Sequence, residues 1–380
     1  MKTIRRLIYQ EVLVTIALVA LGFLALFFFF DLVDELQYLG KNNSLIKTGS
    51  TYQIRHALLY VALLIPNHLY ELLPISVLIG SIVVMARLAQ SSEYTILRTS
   101  GLGPWRALKL LLGLGAFFVA FSFAIGDYVA PTSERAAQLF KARYQNKITV
   151  GQTGAWLKEK QSHNHFVVNV KELSPDNEMR EVRLQEFNSK GLIVSTTEAS
   201  RGIFTPDTWL LHQVTRSEFD IPVGSSKLHA SQLQAKIKRT TQEIFYWPTG
   251  ISAEMVSVAL LKPERMATID LFNYIRHLKA NGQTAQRYEI EFWKKVFYPL
   301  SCLVMVMLAL PFAYLHFRAG GIAGYIFTGV MIGISFFLLN NVFGYIGNLR
   351  NWQPWLAAAT PGLIYMAVSL GAFGWLVIRH

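Results

Sequence analysis

Cysteine is all but missing. Cys302 stands alone in 380 residues, so the chain cannot close a disulfide on itself, and any part outside a membrane must hold together by packing. Charge is scarce as well. Asp, Glu, Lys and Arg make up 16% of the chain against 52% hydrophobic residues, with a mean hydropathy of +0.32, a balance that excludes a soluble enzyme and points to a bilayer. The usual signatures of chemistry are absent too. There is no G-x-x-x-x-G-K-[ST] phosphate loop, so the chain does not bind and split ATP by that route, and H-E-x-x-H, G-x-S-x-G and C-x-x-C do not occur. Gly101-x-Gly103 is a helix stop rather than a dinucleotide loop. His163-Asn164-His165 sets two imidazoles on one strand face, but no third ligand type lies near it in sequence, and no metal is expected. The reading is a non-enzyme with no catalytic residues and no cofactor of its own.

What the sequence does contain is long and apolar. Val12 to Phe30, Leu110 to Gly126, Val296 to Phe317, Ala319 to Leu349 and Trp352 to Ile378 carry no Asp, Glu, Lys or Arg; Ala57 to Ala86 carries only Glu71. Each can cover the roughly 20 residues that cross a bilayer, which gives six spans. Met1 to Phe30 begins basic like a signal peptide, yet the run is too long and lacks a small-x-small cleavage site, so it reads as an anchor.

Six spans put both termini on one side. Short loops on that side hold nine Lys/Arg, including Arg5, Arg6, Arg87, Arg98 and Arg106, against four on the other (Lys41, Lys47, Arg55 and Arg350). The positive-inside rule then makes the termini cytoplasmic and exports the stretch between spans three and four. Lys and Arg outnumber Asp and Glu from Arg135 to Lys279 as well, and the formal net charge is +12. For a chain in a membrane, that basicity points to anionic lipid or glycolipid rather than nucleic acid.

One polar interruption is well punctuated. In RLAQSSEYTILRTSGLGPWR, from Arg87 to Arg106, Ser92 can cap a helix, Glu93 sits in its first turn, and Gly101 with Gly103-Pro104 ends it. A helix of some nine residues is marginal alone in water. It is held either by the flanking spans, as a plain interfacial turn, or by a partner docking on Glu93, Ile96 and Leu97.

Along the rest of the chain, Phe27 to Phe30 followed by Asp31, Asp34 and Glu35 reads as an aromatic collar or, alternatively, as rings lining a path for acyl chains. Lys41, Lys47 and Arg55 are solvated loop charge or phosphate contacts at headgroup level. Span two, with Pro66 and Pro74, should kink or emerge from the bilayer. Its Glu71 should face protein or the outer surface, and a proton relay there lacks a second acid or histidine. Span three should end at Asp127 and leave the membrane through Tyr128 to Pro131, with a separate short helix from Ser133 to Asn146 carrying Arg135, Lys141 and Arg143. From Gly151 to Ile251 the pattern has period two (Phe166, Val168, Val170; Val182, Leu184; Trp209, Leu211), broken by turn signals at Ser174 to Asn177, Asn188 to Gly191 and Thr205 to Asp207. That predicts an antiparallel sandwich or partly open barrel, with either a packed core or an interior open to an apolar ligand. Thr268 or Asp270 should cap a helix that ends at Asn281-Gly282. Gly320-x-x-x-Gly324 and Gly329-x-x-x-Gly333 in span five permit close helix approach.

These motifs resemble one family. RLAQSSEYTILRTSG (87 to 101), GDYVAP (126 to 131), GQTGAWLKE (151 to 159), HFVVNV (165 to 170) and DLFNYIRHLKANGQTAQRYEIEFWKKVFYPLS (270 to 301) look like those of the lipopolysaccharide export permeases LptF and LptG, the last block like the G type. The resemblance implies a membrane α-helical fold of six spans, three before and three after an inserted periplasmic jelly-roll-like β domain. It divides the chain into 1–132, 133–266 and 267–380. It also implies an ATP-driven exporter of lipopolysaccharide in the bacterial inner membrane, formed with an LptF-type permease, an LptB-type ATPase dimer that binds the ATP and Mg, an LptC-type anchored protein and an LptA-type periplasmic bridge. Ser92, Glu93, Tyr94, Ile96, Leu97 and Arg98 would then contact the ATPase. Acyl chains would enter a cavity gated by spans one and five, at Phe27, Phe30, Phe327, Met331 and Phe336. In the G type a lysine tends to stand where this chain has Asp31, so the phosphate contacts are assigned by position to Lys41, Lys47, Arg55, Lys141 and Arg143. Two readings from other classes are an ion-gradient-driven lipid transporter and a non-transporting envelope scaffold.

Overall fold

The computed structural model describes residues 2–40, 52–91, 96, 99, 103–145, 154–161, 164–174, 178–205, 207–220, 236–259, 263–314 and 322–379. In chain order these form α1 (Lys2–Leu36), α2 (Ile54–Gln90), α3 (Pro104–Ala124), a π-helical turn (Ile125–Val129) and α4 (Ala130–Gln145). Six strands follow: β1 (Ala155–Lys160), β2 (His165–Leu173), β3 (Met179–Phe187), β4 (Ile193–Thr205), β5 (Thr208–Asp220) and β6 (Lys236–Pro248). Then come α5 (Ala253–Ala259), α6 (Thr268–Ala280), α7 (Gln286–Ala309) with a 3-10 turn (Leu310–Ala313), α8 (Ile322–Leu349) and α9 (Pro354–Arg379). The chain divides into two compact units, a helical one (Met1–Leu39, Gln53–Ala137, Gln286–His380) and a second holding the sheet (Gly40–Tyr52, Gln138–Ala285).

Among the described residues, six helical stretches are long and apolar enough to cross a membrane: Arg6–Leu36, Ile54–Gln90, Trp105–Lys141, Gln286–Ala313, Ala323–Leu349 and Pro354–Trp375. The second is the pillar of the helical unit. Of its apolar stretch 83% is buried within the chain, against 17% for the first. One side of α2 (Leu73, Val77, Val84, Leu88) joins Ile8, Val12 and Ile16 of α1, Leu111 and Phe118 of α3, and Val306 of α7 in one core. The other side (Leu78, Ile82, Ala86) joins Met305 and Ala309 of α7, Tyr325 and Phe336 of α8, and Tyr365 of α9 in another.

Glycine decides where the backbones meet. Lipid gives apolar helices no hydrophobic reason to associate, so close packing at small residues takes that role. A Cβ on Gly80 of α2 would fall 2.5 Å from Ile16 Cγ1 and 2.8 Å from Ile16 Cα of α1, and one on Gly115 of α3 would fall 3.1 Å from Leu303 Cα. Gly329 and Gly333 of α8 face Ile79, Ile82 and Ile75 of α2, as their spacing predicts, whereas Gly324 has open space beside it. Gly320 lies outside the described residues.

Pro66 and Pro74 lie inside α2, which is continuous for 37 residues, roughly 55 Å at 1.5 Å per residue and so long enough to emerge from the hydrocarbon core, one of the two courses expected of it. One expectation needs correcting: the helix of span three does not stop at Asp127. The chain passes through the π-helical turn directly into α4. Pro131 stands in the first turn of α4, just after the π turn, in which the Ala130 N–H bonds the Ile125 carbonyl.

In the second unit the period-two segments pair as expected. The six strands form one antiparallel sheet in sequence order, β1-β2-β3-β4-β5-β6, with Val168 opposite Leu184 and Trp209 opposite Trp247. Val168, Val170, Val182, Leu184, Trp209 and Leu211 are buried. The two outer strands are clasped at one end. Glu159 of β1 accepts hydrogen bonds from Thr249 Oγ1 at 2.6 Å and the Gly250 N–H at 2.8 Å, just past β6, and Gln161 Nε2 donates to the Pro248 carbonyl at 2.8 Å. The cap of α6 differs from expectation: Ala267 occupies it with no side-chain bond, and Thr268 is the first helical residue. The helix ends at Asn281 and Gly282, and Gly282 has the positive φ of +65° that a side chain resists.

We expect Gly80→Ala to drive α1 from α2, because the new methyl group meets Ile16 backbone rather than a movable side-chain tip. The cost is about 1–3 kcal/mol, while Gly324→Ala is near neutral. Thermal unfolding of the purified chain in detergent checks both, and equal midpoints for the two variants would refute the contact.

Candidate functional site

Among the described residues, the polar contacts of the helical unit that bear on the expected sites fall into two groups. At the end where 91–103 joins α2 to α3, Ser91 closes α2, its N–H and Oγ bonding the Arg87 carbonyl at 2.9 and 3.0 Å. Gly103 and Pro104 open α3. Of the expected contact residues, Ser92, Glu93, Tyr94, Leu97 and Arg98 lie outside the described residues. Ile96 is helical and 63% exposed, and Thr99 Oγ1 donates to its carbonyl at 2.9 Å. Both flanking helices are tied to α1. Arg87 Nη2 reaches Glu11 Oε1 at 2.6 Å, and the Tyr9 hydroxyl donates to the Leu110 carbonyl of α3 at 2.8 Å. Gly113 makes room for that hydroxyl, since a Cβ there would lie 2.8 Å from it.

At the opposite end, charge is turned inward. Asp31 of α1 meets His68 of α2 at 2.7 Å, with the Phe27 ring 5.0 Å from the imidazole. Glu71 accepts from Asn67 Nδ2 at 3.0 Å. His68 also overturns the premise that Glu71 has no titratable neighbour, because three helical residues bring the two onto one face. Lys294 and Glu291 of α7 pair at 2.7 Å, and the lysine lies where Gly344 of α8 has no side chain. Lys295, 9% exposed, points its Nζ to the Gly126 carbonyl of the π turn at 3.4 Å and over the Tyr70 ring at 5.7 Å. A π turn frees carbonyls from the regular ladder, and this one is met by a buried ammonium.

The proposed acyl-chain residues fall in different surroundings. Phe30, Phe327 and Met331 are exposed, Phe27 is half-buried against His68, and Phe336 is core, in ring contact with Tyr298 and Tyr365. Among the cations, Arg55 is exposed near the start of α2 and Lys141 is half-buried on α4. Arg143 is helical on α4, while Lys41 and Lys47 lie outside the described residues.

Sequence reasoning missed Tyr9, Glu11, His68 and Lys295. A signal existed for one of them: Glu11, with Asp31, flanks the charge-free run of α1. A scan for Asp, Glu, Lys and Arg passes over histidine, and nothing in the pattern around Lys295 marks it as buried.

In the second unit the interior is filled by rings. Trp209 and Trp247 meet edge to face at 5.1 Å, Phe166 and Phe204 pack on them, and Trp209 Nε1 donates to the Ile251 carbonyl at 2.8 Å. What remains is a pocket of about 160 Å³ lined by Phe166, Glu186, Ser195 and Arg216 among others. Glu186 accepts from Asn164 and Ser195 and pairs with Arg216 at 3.3 Å. Of the two expected interiors, the packed one describes these rings, while the pocket has a mixed lining in which Leu184, Phe245 and Trp247 stand beside Glu186 and Arg216. A second pocket of about 390 Å³ beside α6 is lined by Ser252, Asn273, Arg276 and His277 among others. There burial pushes the His277 pKa below the usual imidazole value, with Glu159 pulling weakly the other way.

Comparison with known proteins agrees with this layout. The family model "Lipopolysaccharide export system permease LptF/LptG" matches residues 6–378. A lipopolysaccharide export system permease protein LptG of Escherichia coli K12 is 26% identical over 378 residues, covering 98% of this chain and 97% of its own length. The protein of that name from Haemophilus influenzae is 23% identical over 381 residues, covering 99% and 98%.

The Asp31 and His68 pair should behave as one unit. Asp31→Asn and His68→Gln should each lower stability by about 1 kcal/mol and the double variant by little more, because either loss strands the partner in an apolar setting. A double-mutant cycle on thermal unfolding checks this; strictly additive effects would exclude the coupling.

Proposed function

The chain belongs to the lipopolysaccharide export permease family LptF/LptG, and from that premise we propose that it is the G-type permease of an ATP-driven exporter. In this reading it pairs with an F-type permease, receives work from a dimeric LptB-type ATPase, and passes lipopolysaccharide toward LptC- and LptA-type proteins in the periplasm. The observation that carries the reading is the match of one family model across both the helical unit and the inserted β unit.

The physical logic runs alongside. Each acyl CH₂ held in the bilayer contributes roughly 0.8 kcal/mol, so lifting a lipid with several chains needs external work. This chain carries no G-x-x-x-x-G-K-[ST] loop, and in this reading the work enters from a partner at 91–103, a cytoplasmic side being supported by the excess of Lys and Arg there. Exposed Phe30 on α1 and Phe327 and Met331 on α8 offer acyl chains an apolar surface, and Arg55, Lys141 and Arg143, with Lys41 and Lys47, supply charge for phosphates. At the outer end of span one, Asp31 is committed to His68, so phosphate contact falls to those cations. An ion-gradient mechanism would need a chain of titratable groups across the bilayer. His68, Asp31 and Glu71 lie together at one end of the helical unit instead, and the charge-free run of span one separates Asp31 from Glu11.

Glu93→Lys should abolish ATPase docking or coupling and leave membrane insertion intact. Co-purification and ATPase rates equal to wild type would overturn the assignment. Reversing Lys41 and Arg143 together should weaken photocrosslinking of lipopolysaccharide to the complex, and undiminished crosslinking would remove these cations from the phosphate site.

A further inference from the structure

Span one, most of whose apolar surface faces away from the rest of the chain, is also the helix tied to both flanks of the coupling stretch. Only 17% of the apolar length of span one is buried within the chain. Its contact with α2 is a narrow stripe of Ile8, Val12 and Ile16 seated beside Gly80. Yet within three residues it makes two polar attachments. Glu11 is paired with Arg87, in the last turn of α2, and Tyr9 is hydrogen-bonded to the Leu110 carbonyl, early in α3. Arg87 serves in two directions, because its carbonyl caps Ser91, where the coupling stretch departs, while its guanidinium holds span one.

A simple anchor would not need this arrangement. The cation at the C-terminal end of α2 is already favoured by the helix dipole, and it lies 48% exposed where water could solvate it. Glu11, for its part, keeps one oxygen on Arg87 while its Oε2 is buried with no hydrogen-bond partner among the described residues. A carboxylate half satisfied beside a charge-free run is costly, and it holds span one to the end of one coupling flank while the tyrosine holds it to the other.

We propose that Tyr9 and Glu11 are positioning residues that make span one the output of the coupling stretch. A tilt of the ends of α2 and α3 against each other pulls span one through both attachments. Span one acts as a lever along its roughly 30 Å from Glu11 to Asp31, where the Asp31 and His68 pair holds its far end until the pull exceeds it. The proposal rests on the exporter reading above and adds the route by which work reaches the lipid-facing helix.

The test uses the complete complex in liposomes, this chain with its partner permease and ATPase, supplied with purified lipopolysaccharide. Its readout is the lipid transferred to a soluble acceptor per ATP hydrolysed. Glu11→Gln and Tyr9→Phe should each lower that ratio about fivefold, the upper end for a single exposed ion pair, with complex assembly and ATP hydrolysis retained, and Glu11→Asp should keep most of it. Ratios equal to wild type, or ATP hydrolysis and transfer falling together so that the ratio is unchanged, would overturn the proposal. If Glu11→Gln fails to assemble, Tyr9→Phe, which removes one hydroxyl, carries the test by itself. No ATP-dependent transfer by the wild-type complex would instead refute the exporter reading and be recognised as such.

Discussion

Helices in lipid have no hydrophobic reason to meet, and the arrangement of this chain follows from how it compensates. The contacts of α2 with α1 and α8 are made where a glycine removes a side chain: Gly80 under Ile16, and Gly329 and Gly333 against Ile75, Ile79 and Ile82. Because two of these seams lie on α2, that helix becomes the fixed element and the others are placed relative to it. Its unbroken course through two prolines has the same origin. Packing on both sides supports the turns in which a proline deletes a hydrogen bond.

The second consequence concerns charge. An ion inside an apolar bundle must find a partner or face water, and the inward-turned ions of the helical unit named above have found partners. Asp31 with His68 and Glu11 with Arg87 join α1 to α2, and Lys294 with Glu291 sits beside α8. Lys295 has found something less common, a carbonyl of a π turn and an aromatic face. The polar groups thus do what apolar packing cannot do in lipid: they fix helix against helix at particular heights. Seams of methyl groups and glycine permit sliding and tilting about those points.

Much of this was legible in the sequence. The six spans follow from runs free of charge, the strands from alternation at Val168, Val182 and Trp209, and the seam at Gly329 and Gly333 from spacing. Turn chemistry was legible where it depends on backbone geometry, as at Gly282. The errors share a cause. Pro131 reads as a way out of the span because local propensity counts its missing N–H, whereas the helix continues through the π turn into α4, with Pro131 in its first turn. The tethers at Tyr9 and Glu11 depend on residues 101 and 76 positions further along the chain, and no local pattern encodes a partner at that distance. His68 was visible and overlooked, because a count of formal charge omits an imidazole.

Fixed points and free surfaces together bear on how such a chain moves lipid. A helix buried on all sides can transmit force but cannot offer a surface to a lipid, and a helix exposed on most sides offers the surface but transmits nothing unless it is held somewhere. Span two is of the first kind and span one of the second. Joining them rigidly along their length would make span one as immobile as its neighbour. Joining them through one glycine seam and an ion pair near each end leaves span one free to rotate about the seam while its ends stay registered with the pillar. Ion pairs suit that purpose better than apolar contacts. Removing one partner strands the other in a medium that solvates it poorly, so such a joint has two defined states, made and broken, where a slipped apolar contact passes through a continuum. The load on this chain is a lipid whose acyl chains resist leaving the bilayer by an energy proportional to their length. A joint that holds and then releases delivers that work as a step, whereas a gradual slide would leave the lipid free to return to the bilayer at each small displacement.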